Sequence, residues 1–137
     1  MESFTSNYTS TIASYVARSA AIGKERGLNV EINAPFLKLR RRRSSAALTF
    51  HLTHIVLEDL EVEPSDRNKH YGSAMLDDVI AIGEALGLRI DLIAESTTHP
   101  DGRGLIQSSL ENWYRRHEFV RADDALMRRV PGAHSGR

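Results

Sequence analysis

Residues 53–64, Thr-His-Ile-Val-Leu-Glu-Asp-Leu-Glu-Val-Glu-Pro, hold the pattern on which the fold turns. Ile55 and Leu57 alternate with polar or smaller neighbours as strand residues do, but the next apolar pair, Leu60 and Val62, is displaced by one position. A strand keeps both pairs on one buried face only by accommodating an extra residue, which predicts a β-bulge near Asp59 in a strand running from Thr53 to Glu63. A bulge leaves backbone groups unpaired. Pro64 ends the strand, and the polar stretch Ser65 to His70 leads into a helical stripe of Met75, Val79, Ile82 and Leu86, supported by Leu76 and Ile80 and closed by Gly87. Ile90, Leu92 and Ala94 then alternate as a further strand. Strand, loop, helix and strand in this order indicate an α/β domain.

Upstream, Ile12, Tyr15, Val16 and Ala20 recur at helical spacing with Ile22 at the edge, predicting a helix from about Thr9 to Arg26 that stops at Gly27. The period then changes to two. Val30 and Ile32 alternate with Glu31 and Asn33, Pro35 interrupts, and Leu37 and Leu39 alternate with Lys38 and Arg40. Ser44-Ser45 is the expected turn, after which Leu48, Phe50 and Leu52 share a strand face, giving a hairpin with a basic tip. Downstream, Ser96 to Gly104 reads as a loop, Ile106, Leu110 and Trp113 mark a third helix, and Phe119-Val120 with Leu126 to Val130 form a closing pair of strands. One domain over residues 1–131 and a disordered tail over 132–137 are expected.

The chain has 137 residues, of which 41% are hydrophobic and 26% charged, so one ordinary core is the expectation. Eighteen Lys and Arg balance eighteen Asp and Glu, which excludes a global basic field for nucleic acid or an anionic membrane. Any such contact must be local. No cysteine is present, which excludes disulfides, thiolate zinc sites and an acyl-cysteine route. No apolar stretch approaches the roughly 20 residues of a membrane span, and the hydroxyl-rich N-terminus lacks a signal-peptide pattern, so a cytoplasmic protein is expected.

The loop before the second helix reads Arg67-Asn68-Lys69-His70-Tyr71-Gly72-Ser73-Ala74. The first amides of a helix lack internal partners and sit at the positive end of its dipole, so this junction suits a phosphate, with Gly72 allowing close approach and Arg67 and Lys69 adding charge. A solvated basic loop before a core helix is the plainer alternative. The stretch Leu57 to Ala74 resembles the acetyl-coenzyme A signature of the GNAT N-acetyltransferase superfamily, whose loop reads Gln/Arg-x-x-Gly-x-Gly/Ala. Leu110 to Phe119, with Trp113-Tyr114 and Phe119, is similar to that family's closing aromatic-Tyr-x-x-x-Gly-Phe segment. The resemblance covers residues 55–130, and its abbreviated outline is similar to compact phage-encoded members, anti-CRISPR acetyltransferases among them.

That resemblance implies the GNAT fold, a mixed and mostly antiparallel sheet flanked by helices, with acetyl-CoA wedged where the strands ending near Val62 and Ala94 part. It implies that Leu60, Glu61 and Val62 offer backbone to the pantetheine arm, and that Arg67, Asn68, Lys69, His70, Tyr71, Gly72 and Ser73 cradle the pyrophosphate. Gln107 stands seven residues before Tyr114, where the family usually places an Asn that reaches the coenzyme. His70 stands at the first glycine of the loop, and Glu118 at the glycine before the final Phe. Tyr114 matches the family's acid for the leaving thiolate, its alternative being a packed aromatic. Glu58 matches the base that some members carry, with Glu61 and Glu63 as competing carboxylates.

The implied activity is acetyl transfer to an amine, on a small molecule or on a protein lysine or N-terminus, through a ternary complex with coenzyme A as product. A rival is a catalytically weak binding module of the same fold that holds protein or nucleic acid through Arg40 to Arg43, although the zero net charge does not favour nucleic acid. A homodimer is left open. His51 and His54, three apart, lie on opposite faces if both are in a strand, which disfavours a shared metal. Asp101-Gly102-Arg103-Gly104 is a turn without phosphate-loop spacing.

Overall fold

Helical and alternating stripes assemble into a seven-stranded sheet in the computed structural model, which describes residues 4–42, 44–62, 71–94 and 107–132. In chain order the elements are α1 (Phe4–Glu25), β1 (Asn29–Asn33), β2 (Phe36–Arg41), β3 (Ser44–Phe50), β4 (His54–Val62), α2 (Tyr71–Leu86), β5 (Arg89–Ile93), α3 (Gln107–Arg115), β6 (Val120–Asp123) and β7 (Leu126–Arg129). The strand order is β1-β2-β3-β4-β5-β7-β6. Only β4 and β5 run parallel, joined through α2, and every other neighbouring pair is antiparallel. The mixed, mostly antiparallel sheet expected from the sequence is present. Among the described residues, no helix is long and apolar enough to cross a membrane.

One face of the sheet carries the core. Leu37, Leu39, Ala46, Leu48, Phe50, Ile55, Leu57, Ile90 and Leu92 project from it and are buried against Ile12, Val16 and Ala20 of α1 and Met75, Leu76, Val79 and Ile82 of α2. Both helices lie on this face and touch each other. α2 approaches β5 closely at Gly83, where an added Cβ would stand 2.8 Å from the Ile90 Cδ1 atom. α1 and α2 stop at Gly27 (φ +85°) and Gly87 (φ +70°), where glycine takes a left-handed conformation without a Cβ penalty. Leu28 and Leu88 then donate backbone hydrogen bonds to Gly23 and Gly83 at 2.9 and 3.0 Å, closing the two helix ends in the same way.

Several local expectations are corrected. α1 begins five residues before Thr9, and β4 begins at His54. Ser44 and Ser45 are not the hairpin turn: they already belong to β3 and pair with Arg41 and Arg40, so the chain reverses between Arg41 and Ser44. β3 ends at Phe50, so Leu52 lies in the bend that leads to β4 rather than on the strand face. That bend brings His51 and His54 together, with rings stacked at 4.7 Å and the His51 amide donating to the His54 carbonyl, instead of placing them on opposite faces. No cluster that could hold a metal ion occurs among the described residues.

The basic tip is only partly a free surface. Arg41 and Arg26 both donate to the carboxylate of Asp78 on α2, whose side chain is 2% exposed. A carboxylate so buried requires such partners, and the pair ties the β2 end and the α1 exit to α2.

Candidate active site

The bulge expected near Asp59 is present, and Glu58 is the extra residue. Ala47 of β3 faces Asp59, Leu48 faces Leu57, and no β3 residue faces Glu58. Below the bulge, β4 pairs on both sides: His54 to Leu57 match Arg89 to Leu92 of β5 as well as β3. Above it, Asp59 to Val62 pair with β3 alone among the described residues. Leu60, Glu61 and Val62 therefore lie on a strand segment whose second backbone edge has no strand partner among the described residues, at the carboxyl ends of the parallel pair. Such a parting of parallel strands is where open α/β sheets bind ligands.

Tyr71, Gly72 and Ser73 form the first turn of α2. Arg67, Asn68, Lys69 and His70, and with them Glu63, fall outside the described residues, as do the loop Ser96 to Gly104 and residues 133–137 of the tail. Gln107 is the first residue of α3. The Trp113 indole donates to the Ser73 hydroxyl at 3.2 Å, which fixes α3 against the α2 N-terminus. Its ring meets Tyr114 edge-on at 4.9 Å, and Tyr114 meets Phe119 at 5.7 Å.

Tyr114 is in the core cluster and 8% exposed. Burial pushes its phenol up to about 12, and the negative charge of Asp59 adds to the shift. The phenol thus stays protonated across the physiological range and lies within electrostatic reach of the bulged strand. α3 ends through hydrogen bonds from Glu118 to the Arg115 carbonyl and from Phe119 to the Tyr114 carbonyl. Glu118 takes φ 70°, the left-handed conformation that glycine adopts more cheaply, so the backbone here is what a glycine would give although the residue is Glu.

Glu58 accepts a hydrogen bond from the Thr49 hydroxyl at 2.9 Å, placing its carboxylate on the sheet face opposite α1 and α2. There it lines a concavity of about 400 Å³ with Glu31, Asn33, Phe36, Lys38, Ala47 and Thr49. Beyond it, the Glu61 carboxyl is raised above the usual range by a hydrogen bond with Asp59 and by that residue's charge. Asp59, which acts on both Glu61 and Tyr114, is a candidate that the sequence reading does not name as a site residue. The signal was in the bulge: one inserted residue puts Asp59 and Glu61 together on the face opposite Leu60.

A scan against protein-family models finds no match, and a search of curated proteins finds none. Solved structures do match. The anti-CRISPR protein AcrVA5 superposes with a TM-score of 0.58 at 21% identity, over 68% of this chain and 96% of that one. The ribosomal-protein-S18-alanine N-acetyltransferase of Escherichia coli gives 0.57 at 16% identity, over 77% and 76% of the two chains. An acetyltransferase from Bacteroides thetaiotaomicron, ascribed to the GNAT family, gives 0.50 at 18% identity, over 74% and 64%. With the strand order, the bulged fourth strand and the parallel β4-α2-β5 unit, these likenesses show that the chain has the GNAT acetyltransferase fold.

Proposed function

We propose that the chain is an acetyl-CoA-dependent N-acetyltransferase acting on an amine through a ternary complex. The observation that carries this reading is the one-sided upper half of β4, without a second strand partner among the described residues, carrying the Glu58 carboxylate and lying within electrostatic reach of the buried Tyr114 phenol. These residues fit the coenzyme. The free edge of Leu60 to Val62 suits the amides of the pantetheine arm, the α2 N-terminus suits the pyrophosphate, and Arg67, Asn68, Lys69, His70 and Gln107 complete the proposed set. When bound, acetyl-CoA supplies an activated acyl group and a thiolate leaving group.

The chain's own residues supply proton transfer and positioning. Glu58, oriented by Thr49, takes a proton from the acceptor ammonium or from a water beside it, leaving a neutral amine. Tyr114 keeps its proton until negative charge develops nearby and then donates it or a hydrogen bond, an interaction stronger in the transition state than in the ground state. The bland alternative, a binding module gripping a partner with the basic hairpin, loses support because Arg41 is engaged by Asp78 and Arg40 stands 3.6 Å from Glu31.

The test is Tyr114→Phe. Turnover, read as thiol released from acetyl-CoA with an accepted amine, should fall by about 10² to 10⁴, while coenzyme affinity and melting temperature stay near wild type. Turnover within a few-fold of wild type would make Tyr114 a packing residue only.

A further inference from the structure

The sheet face away from the helices has a dent with a simple origin. Ala47 lies between Lys38 of β2 and Asp59 of β4, so a methyl group stands in a row of longer side chains. The concavity above it is bounded by Glu31, Asn33 and Phe36 on one side and Thr49 and Glu58 on the other. Phe36 is 51% exposed and presents an aromatic surface there. The lining holds the carboxylates of Glu31 and Glu58 against the ammonium of Lys38, and the Arg40 guanidinium stands 3.6 Å from Glu31, while Asp59 and Glu61 keep the balance negative along β4. A hydrogen bond with Asp59, and then that residue's charge, hold a proton on Glu61 more tightly, with Lys38 opposing the shift.

We propose that this concavity is the acceptor site and selects a small primary amine with an apolar body, its ammonium held between Glu31 and Glu58 and its body resting on Ala47 and Phe36. The assignment rests on the acetyl-transfer reading for its role, but not for the binding itself. An ammonium is drawn by the excess carboxylate and by the aromatic surface, whereas a neutral isostere is drawn by neither. The volume, about 400 Å³, falls in the range of sites that enclose a whole small ligand and exceeds what one lysine side chain fills. Lys38 sets the charge preference: it opposes a second cationic group, so monoamines are favoured over polyamines.

Isotope-labelled protein titrated with 2-phenylethylamine, 2-phenylethanol and a capped Gly-Lys-Gly peptide tests this by amide chemical shifts. The amine should perturb Phe36, Ala47 and Thr49, and the alcohol should bind at least tenfold more weakly. Ala47→Leu, which fills the dent, and Glu31→Gln, an exposed and conservative change, should each weaken the amine about tenfold or more, a loss of about 1.4 kcal/mol. Should Ala47→Leu not fold, Glu31→Gln decides alone. Equal affinity for amine and alcohol, no effect of either substitution, or perturbations elsewhere would overturn the proposal. Tighter binding of the peptide than of the amine would overturn it in favour of a polypeptide acceptor. Coenzyme A titrated into the same samples separates the two readings: coenzyme binding without amine binding defeats this inference alone. Amine binding without coenzyme binding upholds the amine site and defeats acetyl transfer.

Discussion

The two halves of β4 share one strand and have opposite characters. Its lower half, His54 to Leu57, pairs with β3 and with β5 and buries Ile55 and Leu57 completely or nearly so. The upper half, Glu58 to Val62, pairs from Asp59 onward with β3 only among the described residues and carries Glu58, Asp59 and Glu61. A single extra residue separates a core strand from the proposed site strand. Without the bulge, the alternation of the lower half would carry Asp59 and Glu61 into the core and Leu60 into solvent. With it, the apolar stripe continues while the carboxylates gather on the face away from the helices.

The contrast is sharpest in energy at Leu57. Leu57→Ala should cost about 2–5 kcal/mol of stability, measured by denaturant unfolding, because a closely packed site collapses poorly around the missing atoms. Coenzyme affinity of the folded fraction should hardly change, since Leu57 belongs to the scaffold half. Removing Glu58 should do the reverse. The shortened strand can keep Ala47 opposite Asp59 and lose only the bulge, so the protein should remain folded while acetyl-CoA affinity by calorimetry falls about tenfold or more, about 1.4 kcal/mol. A deletion that unfolds the chain or leaves affinity unchanged would break the division between the halves. The smallest effect is expected at the turn that positions Tyr114: Glu118→Gly should raise stability by up to about 1 kcal/mol, because it relieves a left-handed residue at some cost in unfolded-chain entropy.

How much of this was legible depended on the range of the forces involved. The bulge was readable because a break in period two is a local fact about Leu57, Leu60 and Val62. The hairpin turn was misplaced because Ser-Ser is locally the better turn former, while the register is decided by pairing of Ser44 with Arg41 on one side and Val62 on the other. The engagement of Arg41 was invisible for a similar reason, its partner Asp78 lying 37 residues away on another element. Tyr114 is singled out in the sequence only through the family resemblance. Its burial beside Phe119 and its exposure to the charge of Asp59 needed the fold.

The central claim is that the upper half of β4 and the α2 N-terminus form the coenzyme site. Chemical-shift mapping of the labelled protein during an acetyl-CoA titration tests it directly, with or without a known acceptor. The account predicts saturable perturbation of Leu60, Glu61, Val62, Tyr71, Gly72 and Ser73, with Val56 and Leu57 of the doubly paired half little affected. No saturable binding, or perturbation confined to the lower half of β4, would contradict it.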